Sequence, residues 1–364
     1  MTRPVLFTGD IFRLQQRGGI TRYFSELIPR LERPATIVAG VHQSRSVRSG
    51  SLAGAPALYV RGFRLSPRPR AAVNRWIDAR RLGRAKNEIL HATYYRDPAS
   101  LPLQAPVVVT VYDMAHERFP SLFRRAWWRS EDPARWKAAL CGRADRILCI
   151  SESTRRDLRE LLGVAEAKTR VIHLGTTDWR GISARPVEGI DPPFFLWVGE
   201  RHTYKNFDRT LRAWAESRAA ASSSLLCVGG PELTRNERET IRSLGVSGRV
   251  RRQSLEDASL RWAYEHAAGL LYTSLCEGFG LPLVEAMSLN CPIVAARVSS
   301  IPEVAGEVPI YIDPEDPESI RSGIERCLEA GRGLAEERGS RARAALFSWD
   351  RCAAAHEAVY EELD

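Results

Sequence analysis

The chain has 364 residues, of which 44% are hydrophobic, and it carries a formal net charge of +9. A chain of this length exceeds what one hydrophobic core usually serves, so two domains are expected, and no apolar run approaches the roughly 18 residues of a membrane-spanning helix. The excess of positive charge indicates an acidic partner, such as an anionic membrane, a phosphorylated substrate or a nucleic acid.

The N-terminus and the cysteines favour a cytoplasmic protein. The opening residues Met1 to Val5 contain too few apolar side chains for a signal peptide and lead directly into a predicted strand. The 7 cysteines are scattered, odd in number and without a Cys-x-x-Cys pair, which fits reduced thiols in the cytosol.

The first half of the chain alternates between predicted strands and helices. The apolar run at 5–8 is the first strand, and a polar loop ending in Gly18-Gly19 precedes an amphipathic helix from about 21 to 31. Gly18-Gly19 is either a point of close backbone approach to a ligand or an ordinary turn. Further elements are predicted as strands at 36–41, 88–92, 107–113, 146–150 and 170–174, and as helices at 135–144 and from 151 onward.

The strand predicted at 107–113 is a nearly continuous apolar run, which is typical of a parallel strand covered on both faces. It ends in Tyr112-Asp113, and His116 follows. Ligands of open parallel sheets bind outside the carboxyl ends of the strands. The side chains of Asp113 and His116 are therefore expected to lie at such an edge.

Two stretches combine arginine with tryptophan. The first covers 61–86, in which Asp78 is the one acidic residue, and the second covers 124–137. Basic helices with embedded tryptophan bind anionic membrane surfaces, although a solvated arginine-rich face explains the same composition. Nucleic acid is not expected as a partner, because no recognition motif accompanies the charge.

The hydrophobic periodicity lapses between 176 and 193, where proline, glycine and charged residues dominate. We therefore predict a first domain over 1–180, a linker over 181–193 and a second domain over 194–345. A C-terminal helix is predicted over 346–364, and one expectation is that it packs against the first domain. In the second domain, strands are predicted near 193–199, 225–228, 249–252, 269–273, 292–296 and 310–312. Both domains are thus α/β and doubly wound.

The segment Cys276 to Met287 contains two carboxylates, Glu277 and Glu285, with a Gly-x-Gly turn after the first. A helix is predicted from about Pro282, since proline suits the first helical turn. The helix start offers N–H groups to an anion, and glycine permits close approach. Carboxylates bind vicinal hydroxyls strongly. The alternative is a solvated loop glutamate followed by a helix glutamate favoured by the dipole.

Together these motifs resemble the nucleotide-sugar glycosyltransferases of family 4, which have the GT-B fold: two facing Rossmann-like doubly wound domains with a cleft between them. The resemblance extends over nearly the whole chain. It is carried by the segments 18–23, 150–154, 199–206, 277–285 and 300–304. It implies a metal-independent, retaining transfer from a nucleotide diphosphate sugar, without a cofactor.

Within this family the chain is most similar to mannosyltransferases, so mannose is the first expected sugar and GDP-mannose the first expected donor. The first domain is expected to bind the acceptor. The expected acceptor is a glycan or lipid-linked glycan of bacterial surface polysaccharide synthesis. The expected location is the cytoplasm, with peripheral contact to the inner face of the cytoplasmic membrane through 61–86 and 124–137.

The resemblance also implies roles for single residues. Arg201 and Lys205 would neutralise the leaving diphosphate as its charge develops, and Glu277 would hold ring hydroxyls of the donor sugar. Glu285 would hold the ribose hydroxyls. The remaining donor contacts are expected from Gly19, Gln253, Ser254, Leu255, Gly278, Phe279, Gly280 and Leu281, mostly through their backbone.

One position departs from the family pattern. Many members have His-Asp where this chain has Tyr112-Asp113, and a tyrosine cannot carry a positive charge near neutral pH. His116, in the same loop, is a candidate substitute near the sugar or the acceptor, and an ordinary surface histidine is the alternative.

Three other functions explain parts of the pattern. A glycoside hydrolase also uses two carboxylates, but it has no use for adjoining cations. A nucleotide-sugar isomerase or epimerase of the same fold would use the same donor contacts. A non-enzymatic basic adaptor for membranes or nucleic acid would account for 61–86 and leave the two glutamates without a role.

Overall fold

The structure is a computed structural model that describes residues 2–44, 57–59, 67–123, 133–201 and 203–364. The chain divides into two compact units. The first unit combines Met1–Gly175 with Ser348–Asp364, and the second unit is Thr176–Phe347. Part of the 61–86 stretch and residues 124–132 of the second basic stretch lie outside the described residues.

Within its described residues, the first unit contains a six-stranded parallel sheet of order β2-β1-β5-β6-β7-β8 and a separate parallel pair, β3-β4. The strands are β1 Val5–Thr8, β2 Ala35–Val38, β3 Gly40–His42, β4 Ala57–Tyr59, β5 Ile89–Ala92, β6 Val107–Val111, β7 Arg146–Cys149 and β8 Thr169–Val171. The helices are Asp10–Leu14, Gly19–Leu27, Pro67–Arg81, Ala115–Arg118, Pro120–Phe123, Pro133–Arg143, Glu152–Leu162 and Trp349–Glu361.

The second unit contains a six-stranded parallel sheet of order β11-β10-β9-β12-β13-β14. The strands are β9 Phe194–Val198, β10 Ser224–Val228, β11 Val250–Gln253, β12 Gly269–Tyr272, β13 Ile293–Ala296 and β14 Ile310–Ile312. The helices are Phe207–Glu216, Ala219–Ser222, Arg235–Ser243, Asp257–His266, Leu281–Ser288, Ile301–Ala305, Pro317–Ala330, Gly333–Glu337 and Ser340–Ala344. Parallel sheets with helical crossovers confirm the predicted α/β class.

One predicted strand is wrong. The run 36–41 forms two strands, because the chain turns at Gly40, where φ is +61°. The guanidinium of Arg13 donates hydrogen bonds to the carbonyls of Val38 and Ala39 at 3.0 and 2.9 Å. These carbonyls mark the end of β2, and β3 pairs with β4 outside the main sheet.

The predicted helix at 21–31 is also shorter than expected. The α-helix covers Gly19–Leu27, and a 3-10 turn at Ile28–Arg30 ends it. Pro29 lies in that turn, and proline has no N–H to continue the helix.

Residues 176–193, which include the segment 181–193 predicted as a linker, are part of the second unit. The indole of Trp179 is 5% exposed and donates to Ser288 Oγ at 3.0 Å. The backbone N–H of Arg185 donates to the carbonyl of Ala258 at 3.1 Å. Accordingly, the boundary between the two units falls at 175/176 rather than inside 181–193.

A buried polar network attaches the C-terminal helix to the first unit. The ring of His91 lies 2.6 Å from Tyr360 Oη and 2.9 Å from Thr110 Oγ1. Tyr23 Oη lies 2.5 Å from His356 Nε2, and His356 Nδ1 lies 2.7 Å from the carbonyl of Cys352. Since a carbonyl can only accept, His356 carries its proton on Nδ1 and accepts from Tyr23 through Nε2. The helix is thus held by neutral histidines.

This network predicts that acid weakens the first unit. Burial lowers the pKa of His356 to about 4, against an ordinary value of about 6.5 in an unfolded chain. Between these values the unfolded state binds more protons, so stability is complete above pH 6.5 and falls as the pH drops. At pH 5 His356 alone should cost about 2 kcal/mol of unfolding free energy, measured by urea titration.

The matched variant is His356→Gln, whose amide replaces both ring nitrogens without titrating. We expect it to be less stable at pH 7.5 and to lose less stability than the wild type between pH 7.5 and 5. An unchanged pH dependence in the variant would contradict the neutral-histidine assignment.

Candidate functional site

The carboxyl edge of the second sheet brings together the loops that follow neighbouring strands. β9 and β12 lie side by side, although β10 and β11 separate them in sequence, so the strand order reverses direction at this pair. In open parallel sheets such a reversal point is where ligands bind. The loop after β9 contains residues 199–206, and the loop after β12 contains residues 273–280.

Two of the predicted site residues meet at this point. Lys205 Nζ lies 2.8 and 2.7 Å from the two carboxylate oxygens of Glu277. The side chains of Lys205 and Glu277 are 23% and 7% exposed, respectively. A carboxylate so far removed from water needs a counterion, and Lys205 supplies it.

The backbone of Glu277 is fixed from β13's side of the sheet. Its N–H donates to Ser299 Oγ at 2.9 Å, and Ser300 Oγ donates to its carbonyl at 2.9 Å. Burial raises the pKa of Tyr272 well above its ordinary value, and the negative charge of Glu277 adds to this effect. The tyrosine therefore stays neutral beside the carboxylate.

Asn206 connects three loops at this edge, a role that sequence reasoning missed. Its Nδ2 donates to the carbonyls of Thr273 and Pro314 at 3.1 and 2.7 Å, joining the loops after β9, β12 and β14. Its backbone is left-handed, with φ of 67°, which asparagine tolerates better than most residues. The sequence offered one signal for this role, since Asn206 directly follows Lys205, a cation already predicted for this loop.

Arg201 has a different environment from that of Lys205. Its side chain is 2% exposed, its Nε donates to Glu237 Oε1 at 2.7 Å, and its Nη2 donates to the carbonyl of Pro231 at 2.6 Å. Burial alone would raise the pKa of Glu237, but the hydrogen bonds from Arg201 and Thr234 lower it. The structure thus pairs the charge of Arg201 with Glu237, and its contact with a diphosphate stays a prediction.

The glycine turn before the helix Leu281–Ser288 is sterically restricted. Gly280 has φ of +102°, and a Cβ there would lie 2.9 Å from Leu283 Cδ1. The helix begins one residue before the predicted Pro282. The ring of Phe279 is 2% exposed and packs edge-on against Phe347, so a ligand would meet the backbone of this segment rather than the ring.

The second glutamate is enclosed on the same helix. Glu285 is 4% exposed, and its two carboxylate oxygens accept from Thr177 Oγ1 at 3.1 Å and Tyr264 Oη at 3.0 Å.

The segment Gln253 to Leu255 follows the edge strand β11. The carbonyl of Gln253 accepts from the N–H of Gly229 at 3.1 Å, and its amide donates to the carbonyl of Glu188 at 3.0 Å. Ser254 and Leu255 continue the loop beyond it. This segment therefore lies beside the glycine turn at 229–230.

The remaining predicted residues belong to the first unit. Gly19 is the first residue of its helix. Tyr112 is 6% exposed and donates from its hydroxyl to the carbonyl of Thr93 at 2.7 Å. Asp113 Oδ1 accepts from the N–H of Ala115 at 3.0 Å, and the ring of His116 lies 4.2 Å from that of Phe123.

Lys137 was assigned to a basic surface, and the structure shows that this is wrong. Its side chain is fully buried. Its Nζ donates to the carbonyl of Asp113 at 2.7 Å and to Glu117 Oε2 at 2.8 Å, which satisfies the charge in the interior. It also lies 5.1 Å from the ring centre of Tyr95. The pattern of charges along the sequence gave no sign of an inward-facing lysine.

No group of three or more His, Cys, Asp or Glu side chains in the described part of the chain is arranged to hold a metal ion. The 7 cysteines are buried free thiols. The described helices include none long and apolar enough to cross a membrane. Metal independence stays a prediction.

Comparison with known families matches both halves of the chain. Residues 17–179 match the model of Glycosyltransferase Family 4, and residues 192–330 match that of Glycosyl transferases group 1. One similar curated protein is MMP alpha-(1->4)-mannosyltransferase of Mycolicibacterium hassiacum, which is 28% identical over 71% of this chain and 65% of the relative. Another is O-antigen chain mannosyltransferase B of Escherichia coli, 41% identical over 26% of each chain. The alignments thus span less than two thirds of these relatives.

Solved structures share the architecture. Sucrose-phosphate synthase from Thermosynechococcus elongatus superimposes with a TM-score of 0.74 at 19% identity, over 99% of both chains. HepE from Anabaena in complex with UDP and glucose gives a TM-score of 0.75 at 16% identity, over 99% of this chain and 100% of HepE. The two family models match most of the sequence and these structures share its fold, so this chain belongs to the family 4 glycosyltransferases of GT-B fold.

Proposed function

We propose that the protein transfers mannose from a nucleotide diphosphate sugar, GDP-mannose in the first instance, to a glycan acceptor of bacterial surface polysaccharide synthesis, without a metal ion. The observation that carries this proposal is the Lys205–Glu277 ion pair at the reversal point of the second sheet. The mannosyltransferase names of similar proteins support the choice of sugar.

The pair offers the two kinds of contact that a sugar diphosphate needs. Lys205 has three N–H donors, of which two are directed to Glu277 in the described conformation. When the bond from the anomeric carbon to the diphosphate breaks, negative charge develops on the departing oxygen, and a nearby ammonium stabilises it more in the transition state than in the ground state. Glu277 accepts hydrogen bonds from hydroxyls of the sugar at the same time.

The rest of the step uses the substrates themselves. An acceptor hydroxyl bonds to the anomeric carbon on the face that the diphosphate leaves, and its proton passes to the departing phosphate oxygen. Glu277 then acts as a holding group and not as a nucleophile. Glu285 accepts hydrogen bonds from the ribose hydroxyls.

Arg201 has a supporting part in this proposal. Its guanidinium is paired with Glu237 and tied to the turn at 229–231, so it stiffens the loops around the diphosphate. Lys205 carries the larger share of the charge that meets the leaving group.

The first test is Lys205→Ala. We expect turnover to fall about 10²- to 10³-fold, because one positioned cation at a developing charge contributes this much. The measurement is GDP release from GDP-mannose in the presence of acceptor, with the melting temperature of each variant alongside.

Arg212→Ala is the matched control. Arg212 pairs with Asp208 on the helix that follows the same loop, and its side chain is 48% exposed. The variant therefore removes an equal charge, but from an ion pair that is in contact with solvent. Near-normal transfer by Lys205→Ala, or an equal loss in the control, would remove the catalytic role of Lys205.

The second test concerns stereochemistry. Transfer from GDP-α-mannose should give an α-linked mannoside, because attack and departure share one face of the sugar. The one-bond C–H coupling at the anomeric carbon of the product distinguishes the α from the β linkage. A β product would overturn the retaining proposal, and consumption of the donor without acceptor, with formation of another nucleotide sugar, would favour an isomerase or epimerase.

We also propose that the first unit meets an anionic membrane through the helix Pro67–Arg81. Val73 and Trp76 are 45% and 62% exposed and lie one turn apart on this helix. Asp78 is turned inward and pairs with Arg13 and Arg96 at 2.7 and 2.9 Å. The outer face therefore presents arginine with two apolar side chains, which suits a surface of acidic lipids.

The third test is sedimentation with vesicles that contain anionic phospholipid. The double change Val73→Ser and Trp76→Ser should reduce binding, since both side chains lose apolar area that the lipid would bury. Leu103→Ser is the control, because Leu103 is 89% exposed on the same unit but outside this helix. Equal binding by the two variants would contradict membrane contact through this helix.

A further inference from the structure

The segment that begins the second unit holds the second glutamate of the candidate site at two points. Thr177, the second residue of that unit, donates from Oγ1 to Glu285 Oε1 at 3.1 Å. The indole of Trp179 donates to Ser288 Oγ at 3.0 Å, and Ser288 Oγ donates to the backbone carbonyl of Glu285 at 2.7 Å. One short stretch therefore contacts the carboxylate directly and contacts its backbone through a serine.

A tyrosine completes the arrangement from a neighbouring helix. Tyr264, on the helix Asp257–His266, is fully buried and donates from Oη to Glu285 Oε2 at 3.0 Å. Its ring meets that of Trp179 edge-on, with the ring centres 6.2 Å apart. The guanidinium of Arg261 donates to the carbonyl of Trp179 at 2.7 Å, which ties the segment to the same helix. Each carboxylate oxygen thus has a hydroxyl donor from a different part of the chain.

These donors differ in charge from the one beside the first glutamate. Glu277 pairs with an ammonium, whereas Thr177 and Tyr264 offer neutral hydroxyls to Glu285. A neutral donor orients a carboxylate and leaves its negative charge uncancelled. A charged acceptor makes stronger hydrogen bonds to hydroxyls than a neutral acceptor does. The two hydroxyls therefore prepare the carboxylate for a ligand that brings further hydroxyls.

We infer that Thr177 and Tyr264 are positioning residues of the donor site, which hold the carboxylate of Glu285 in the orientation that receives the ribose hydroxyls of the nucleotide. Glu285 is 4% exposed, so water does not replace a lost donor, and the carboxylate would turn toward another partner or take up a proton. Either change removes geometry or charge that the ribose needs. This inference rests on the proposed function, which assigns the ribose hydroxyls to Glu285.

The experiment compares GDP with 2′,3′-dideoxy-GDP, each titrated into the full chain by calorimetry. The ratio of the two dissociation constants isolates the ribose hydroxyls, because both ligands carry the same base and diphosphate. We expect the wild type to bind GDP about 10- to 100-fold more tightly, the usual effect of hydrogen bonds to a charged group. In Thr177→Val and in Tyr264→Phe this ratio should fall about three- to tenfold, since each variant loses one hydroxyl at nearly constant shape.

Two further variants separate positioning from a general loss of stability. Thr177→Ser keeps the hydroxyl and should keep the ratio of the wild type. Ser223→Ala is the control, because it removes a buried hydroxyl that donates to the carbonyl of Ala219 at 2.6 Å and accepts from Trp214 Nε1 at 3.3 Å. Ser223 directly precedes β10, at the amino edge of the sheet, so Ser223→Ala should lower the melting temperature and leave the ratio unchanged.

The inference is overturned if Thr177→Val and Tyr264→Phe keep or raise the wild-type ratio, or if Ser223→Ala lowers it equally. The two test residues lie on different elements, so one variant decides the question if the other fails to fold. Failure of the proposed function gives a different result, since the wild type would then bind neither GDP nor GDP-mannose. Binding of GDP with a ratio that the two variants do not change would reject the positioning role alone.

Discussion

The candidate site depends on one electrostatic constraint, the need to neutralise a carboxylate that is almost removed from water. Glu277 is held at 7% exposure between backbone contacts to Ser299 and Ser300, and an unpaired charge there would be costly. Lys205 can neutralise Glu277 because these residues lie in the loops that follow β9 and β12, which are neighbours in the sheet. The strand order thus decides which loops meet, and the loops decide which charges pair. Asn206 secures the arrangement by donating to one carbonyl of the loop after β12 and to one of the loop after β14.

The two loop cations show why arginine and lysine are not equivalent. The guanidinium of Arg201 has a planar set of donors, and here it is matched to a carboxylate and to backbone carbonyls at fixed positions. The ammonium of Lys205 is a compact charge on a flexible stem, and in the proposed mechanism it meets the ligand while it stays beside Glu277. From the sequence alone the two residues were given equal parts. Their environments assign structural work to Arg201 and leave Lys205 as the cation beside the reacting groups of the proposed mechanism.

The sequence predicted what depends on local pattern. Continuous apolar runs such as 107–111 located the buried parallel strands, and Gly280 with Pro282 located the start of the helix within one residue. It could not predict what depends on distant partners. Lys205 and Glu277 are 72 residues apart, and Arg13 reaches Asp78 over 65 residues. The split of the strand at 36–41 and the burial of Lys137 share this origin in distant contacts. Arg13 binds the carbonyls of Val38 and Ala39 beside the turn at Gly40, and Glu117 pairs with Lys137.

This origin also bears on the basic stretch at 61–86. Composition alone allows either a solvated arginine-rich face or a membrane-binding one, since both are strongly positive. The structure adds the direction in which residues point, on which the membrane proposal relies. Asp78 faces inward, where Arg13 and Arg96 neutralise it, so the helix keeps no acid on its outer face. The ring of Trp76 is 62% exposed with the guanidinium of Arg80 5.6 Å from its centre, and a lipid surface would bury that ring. The membrane proposal therefore depends on the exposed tryptophan more than on the count of arginines.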